Sequence, residues 1–396
     1  MRLLLWGRGI SALGDGLWFT LWAIYFTRVV GLSATVVGIG MAIAAGVGLA
    51  SVIPLGSLAD RFDARTVLFL ITVVQALAMA SYLFVSGFAG FLIATIVFVG
   101  LTNGGQAVRT ALVAGLVTDN AARVTALAQV RVAQHVGYAA GAGAGALVLT
   151  ADRLSVYQGA VVVNAVTFGV LAVLTAFVPR ARTGPPPKNA ARRALRDLPY
   201  VAVVSTTAVL AMCWAMLSTG LPLWIAGSTS LPLGLSGIVV IISSVGIAAL
   251  QIPAARFART PTQAARTAVW AGLALAAGCV LVSITGPLAG ALGVTVIIAA
   301  AALHLTGELG YVSASWGLSV NLMAEDARGA YQAVSQTATA TVQMFAPAVF
   351  TLALSGLGAG GWLLIGAIFA CVAAPVPALT RWAVRTRSAD ARVVHQ

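Results

Sequence analysis

Charge is what this chain has least of: only 8% of its 396 residues are charged, and just ten are acidic. Soluble domains carry about 25% charged residues, so no water-facing surface for a chain of this length can be built from this composition. Histidine and cysteine are equally scarce, with three of each. Cys213, Cys279 and Cys371 stand far apart inside apolar segments, which excludes a disulfide framework and a zinc knuckle. No Walker loop, no HExxH cluster and no nucleophile triad can be assembled. The expectation is therefore a protein that is not an enzyme and takes no metal and no cofactor. Lysine occurs once, at Lys188, against 22 arginines.

What is plentiful is apolar. Sixty per cent of the residues are hydrophobic and the mean hydropathy is +0.98, the composition of an all-α polytopic membrane protein. A spanning helix needs about 20 mostly apolar residues. That ruler gives twelve spans, at about 10–30, 34–58, 66–87, 90–115, 125–149 and 156–178, then 199–226, 233–255, 266–286, 288–316, 328–355 and 360–380. The predicted organisation is a six-helix bundle over 1–178, a cytoplasmic linker over 179–198 with Pro185, Pro186 and Pro187, a second bundle over 199–380 and a tail over 381–396.

The basic residues orient the chain. Only Arg28 and Arg153 fall after odd-numbered spans, while the other 21 lie at the N-terminus, in or beside even-numbered connections, or in the tail. The positive-inside rule then puts both termini and the linker in the cytoplasm. A net charge of +13 spread along one membrane face points to anionic lipid as a partner and away from nucleic acid. A monomer is expected.

One loop carries a signature. Gly56-Ser57-Leu58-Ala59-Asp60-Arg61-Phe62-Asp63-Ala64-Arg65 stands between the second and third spans. It resembles the loop Gly-x-Leu-x-Asp-Arg-x-Gly-Arg-Arg/Lys of the major facilitator superfamily, with Asp63 in place of the usual glycine and Ala64 in place of a basic residue. The resemblance implies two six-helix halves with substrate bound between them, lined by the first, fourth, seventh and tenth helices. It also implies that Asp60 meets the N-terminus of the eleventh helix, near Arg328, whose exposed amides favour a carboxylate. Gly56, Asp60, Arg61 and Arg65 would then form a conformational latch. The fifth helix carries Gly137, Gly141 and Gly145 at four-residue spacing, as antiporter members do, but Ala142 stands where those members have proline. Close helix packing explains these glycines equally well.

Carboxylates inside a membrane are functional candidates by default, and only Asp15 and Glu308 fall within spans. His304 lies four residues before Glu308, on the same helical face. Asp15, Glu308 and His304 are the predicted proton-coupling residues, with Arg109 the expected partner of either acid. Arg131, Gln134 and His135 suggest a polar strip on the fifth helix. Trp18, Trp22 and Tyr25 follow Asp15 at helical spacing, a surface suited to a planar hydrophobe or a weak cation. With Arg109, Trp214, Gln332, Gln336 and Gln343 they complete the predicted substrate cavity.

These features resemble bacterial efflux members of the superfamily. They point to a proton-coupled exporter of hydrophobic or weakly cationic small molecules in a bacterial cytoplasmic membrane, its partners being substrate, protons and lipid. Two other readings stay open: a symporter or facilitator importing a small nutrient, and a transporter-shaped sensor or assembly partner.

Overall fold

A computed structural model describes residues 1–151, 153–180, 189–232 and 234–394. Those residues are helical almost throughout, with no strand among them. The helices are α1 (Arg2–Ile24), α2 (Ala34–Phe62), α3 (Ala64–Ser81), α4 (Phe88–Leu116), α5 (Asn120–Ala151), α6 (Leu154–Ala176), α7 (Ala190–Arg196) and α8 (Leu198–Ala208). Then follow α9 (Cys213–Ala215), α10 (Leu221–Ser228), α11 (Gly234–Ala255), α12 (Pro261–Ser283), α13 (Gly290–Asn321), α14 (Arg328–Leu357), α15 (Ala359–Ala373) and α16 (Val376–Val394). Because α8 to α10 form one rod and α15 runs on into α16, the described residues contain twelve rods long enough to be spans.

Ten of the twelve are also apolar enough to cross a membrane by composition. The other two, α1 and α5, carry Arg2, Arg8 and Asp15, and Arg123, Arg131 and His135. Their polar faces lower the mean although their length suffices. Large apolar side chains such as Trp270, Leu147, Leu352 and Phe177 are exposed, as lipid-facing residues must be.

Local chemistry sets the helix ends. Ser33 accepts from the Val36 amide at the start of α2, and Thr260 and Gln263 form a reciprocal capping box ahead of Pro261. Asp197 accepts from the Tyr200 amide to begin α8.

The chain forms two compact units. The first comprises Met1–Thr118, Gln129–Ala194 and Ala324–Thr337; the second comprises Asp119–Ala128, Leu195–Met323 and Ala338–Gln396. In the first, α1 and α3 pack on α6, and α2 packs on α4. Gly137, Gly141 and Gly145 press α5 onto α1: a side chain at Gly141 would strike the Leu13 carbonyl, and one at Gly137 the Gly9 carbonyl. In the second unit α12 packs on α13 and α15, and α8 on α16.

The expected linker and tail both contain helix among the described residues. Part of the predicted linker lies outside the described residues, including Pro185, Pro186, Pro187 and Lys188. In the remainder Ala190–Arg196 is helical and Arg193 pairs with Asp326 at 2.6 Å. Alanine, leucine and arginine are strong helix formers. Likewise the predicted tail begins inside a helix, where Arg387 bonds Asp197 at 2.8 Å and also donates to the Leu322 carbonyl.

Candidate functional site

In the second unit, His304 and Glu308 sit one turn apart on α13, exposed to only 1% and 3%. Each is held from another helix. Trp214 of α9 and its flanking turn donates its indole N–H to Glu308 Oε1 at 2.8 Å, and Ser243 of α11 donates to Oε2 at 3.3 Å. Tyr311 meets the Trp214 ring edge-on, with centroids 5.7 Å apart. His304 Nε2 lies 2.8 Å from the Cys213 carbonyl oxygen. A carbonyl only accepts, so Nε2 carries the hydrogen of the neutral ring and Nδ1 is left with its lone pair.

Nδ1 has no hydrogen-bond partner and faces Glu308 Oε2 at 4.0 Å. The imidazole lone pair and the carboxylate thus face each other across a buried gap. Sequence spacing gave the pair, but Cys213 and Ser243 were missed. Their roles depend on a carbonyl and a hydroxyl brought from other helices, which no spacing reveals. Trp214, expected as apolar cavity lining, is a hydrogen-bond donor to the carboxylate.

In the first unit, Asp15 does not pair with Arg109 as expected. Arg8 takes that place, with its Nη1 2.8 Å from Asp15 Oδ2. Arg8 is buried and also donates to Ser11 at 2.9 Å and to Gln134 at 3.3 Å. The signal was present in the sequence: Arg8, Ser11 and Asp15 are three and seven residues apart, one face of a helix. Nearby on α5, Arg131 donates to His135 Nε2 at 3.2 Å.

The aromatic stripe after Asp15 is packed. Trp18 stacks on Tyr82 at 5.1 Å and meets Tyr25 and Phe26 edge-on at 5.5 and 5.7 Å. The Tyr25 hydroxyl donates to the Tyr82 carbonyl. Trp18 and Tyr25 therefore belong to a hydrophobic core, with partly buried Trp22 against it, and their rings are occupied by one another. On α14, Gln332 is buried, Gln336 partly buried and Gln343 exposed.

The signature loop has a definite geometry inside the first unit. Asp60 accepts from the Gly329 amide at 2.7 Å and from the Ala330 amide at 2.8 Å. These are among the orphan donors of the first turn of α14. Gly56 permits the approach, because a side chain there would meet the Gly329 carbonyl and Ala333. Arg65 lies elsewhere: it donates to the carbonyls of Ala176 and Val178 at 3.3 and 3.2 Å, closing the C-terminal end of α6. Arg61 is exposed.

Asp63 adopts φ +72°, a conformation that favours glycine, the residue the resemblance implies at this position. Its side chain gains a 3.4 Å bond from Thr66 and a 3.9 Å pairing with Arg65, both weak. Asp63→Gly is expected to stabilise the fold by about 0.5–1 kcal/mol, read as a raised Tm. A lower Tm would show that the side-chain contacts outweigh the backbone strain.

Comparison with known proteins agrees with this architecture. The family model described as Major Facilitator Superfamily matches residues 4–347. No curated protein matches the sequence. Among solved structures, a bacterial homologue of the iron transporter ferroportin, in an outward-facing state, superposes with a TM-score of 0.74 at 12% identity, covering 97% of this chain and 99% of that one. The human organic anion transporter MFSD10 (TETRAN) gives 0.72 at 14% identity, covering 95% and 98%. The proton:xylose symporter XylE gives 0.68 at 12% identity, covering 94% of each chain. At these identities the likeness is one of fold.

Proposed function

The chain belongs to the Major Facilitator Superfamily, and we propose that within it the protein is a proton-coupled secondary transporter exporting hydrophobic small molecules by alternating access. The observation that carries the reading is the buried His304–Glu308 pair, a one-proton site held by Trp214, Ser243 and the Cys213 carbonyl. Ionisable groups so deep in a spanning helix are costly, and proton relays are one of the uses that repay that cost. A change in water access at Glu308 would move the proton, since desolvation disfavours the charged carboxylate.

The basic residues concentrated at even-numbered connections support cytoplasmic termini in a bacterial cytoplasmic membrane. Scarce charge favours apolar cargo over sugars or phosphates. The weakly cationic cargo expected from a bare Asp15 loses its basis, because Arg8 already neutralises that carboxylate.

The test is reconstitution into liposomes with a trapped pH dye. Adding a hydrophobic cargo is expected to dissipate an imposed pH gradient, and cells lacking the protein are expected to be hypersensitive to hydrophobic toxicants. A gradient indifferent to every cargo would overturn the coupling. Loss of growth on a single nutrient, without hypersensitivity, would reverse the direction.

A further inference from the structure

Arg8, Asp15 and Arg109 form a cluster whose charges do not cancel. Arg8 donates to Ser11, Asp15 and Gln134 through its Nη1 and Nε, and Asp15 is paired with Arg8. Arg109, on α4, lies within electrostatic range of both, repelled by one and attracted by the other. Its Nε is shut away from solvent and has no hydrogen-bond partner.

The other described acids of the first unit are committed elsewhere. Asp60 is held by the Gly329 and Ala330 amides, Asp63 by Thr66 and Arg65, Glu325 by Arg328, and Asp326 by Arg193. Two arginines against one aspartate leave the cluster with an excess of one positive charge (+2 − 1). Where a guanidinium N–H is closed off from water, as Arg109 Nε is, that excess calls for an anion. The guanidinium is a planar fork that suits a carboxylate better than a point charge would.

We infer that Arg109 is the recognition site for a single anionic group, a carboxylate, carried by an otherwise apolar cargo. The inference rests on the reading of the chain as a transporter of hydrophobic molecules, and it names the polar handle such a molecule bears. A lipid headgroup offers the same negative charge and is the alternative source.

The experiment uses the full-length protein in nanodiscs of zwitterionic lipid, with naphthoate as probe and naphthamide, of the same shape but uncharged, as control. Naphthoate is expected to raise the Tm and naphthamide to leave it unchanged. Arg109→Gln is expected to weaken naphthoate binding about tenfold or more, the scale of one charge-assisted hydrogen bond, with Arg109→Lys retaining part. Asp15→Asn removes the competing negative charge and is expected to tighten binding. That direction tests the site even if Arg109→Gln fails to fold.

Equal stabilisation by both probes, no stabilisation by either, unchanged binding in Arg109→Gln, or weaker binding in Asp15→Asn would each overturn the assignment. Loss of naphthoate binding in nanodiscs of anionic phosphatidylglycerol would overturn it in favour of a lipid headgroup. Binding is read without flux, so the two readings fail separately. Proton-coupled movement of neutral cargo without naphthoate binding sinks only the anion site, and Arg109-dependent binding without proton flux sinks only the coupling.

Discussion

Glu308→Gln is expected to cut proton-driven transport by about a hundredfold or more, the scale on which removing a positioned proton carrier shows, while cargo binding survives. The amide oxygen still accepts from Trp214, whose donor lies 2.8 Å from Oε1 in the native protein. The amide nitrogen takes the place of Oε2 and can donate towards His304 Nδ1, the lone pair that receives a proton in the proposed cycle. The variant therefore imitates the proton-loaded carboxyl permanently. Its cargo affinity should become independent of pH across the range in which the native protein responds. Measurements of binding at two pH values and of flux under an imposed gradient check both halves of this expectation. Native flux in Glu308→Gln would remove the pair from the coupling mechanism.

The second large effect is expected at Asp60. Its carboxylate takes two buried backbone amides of α14, at 2.7 and 2.8 Å, and hydrogen bonds to a charged group are worth about 1.5–3 kcal/mol each. Asp60→Ala leaves both amides without an acceptor. We expect a cost of about 2–4 kcal/mol to any conformation containing the contact, or about 30- to 1000-fold in its population. If that contact latches one state of the transport cycle, turnover falls steeply while the folded protein can still be purified.

Asp60→Asn keeps one acceptor oxygen and should fall between. Gly329→Val reaches the same end by steric means, because its side chain would collide with the Gly56 carbonyl and Asp60. Accessibility of a reporter cysteine near Gly329, measured with transport, reads the two quantities together. Unchanged transport in both Asp60→Ala and Gly329→Val would show that the contact serves packing alone.

The twelve rods were legible because the membrane imposes a length and a composition that any spanning segment must meet. Helix irregularity was not legible. The seventh rod passes through a tight turn at Val209–Met212 and a wide one at Met216–Gly220, which places Cys213 and Trp214 between two changes of helical pitch. Composition is blind to that. At the site, i,i+4 spacing exposed His304 and Glu308 because both lie on one helix, whereas Ser243 comes from a separate helix and left no trace.

Arg8 was overlooked for a different reason. Sorting arginines by membrane side treats each one near a terminus as a topology marker, although its seven-residue spacing to Asp15 was in plain view. The aromatic residues were misplaced because Trp18 and Tyr25 recur at a spacing that cavity, lipid and core all share. Only the neighbours Tyr82 and Phe91, from other helices, decide for the core.

The anchoring of His304 by the Cys213 carbonyl has a directional consequence. A carbonyl oxygen cannot carry a proton onward, so the imidazole is a cul-de-sac and not a wire. Under the proposed coupling, a proton that enters at Nδ1 leaves by the same nitrogen, towards Glu308. Proton traffic in both directions would then pass a single doorway on one carboxyl group, and the side of the membrane which that doorway faces would decide the order of loading and unloading.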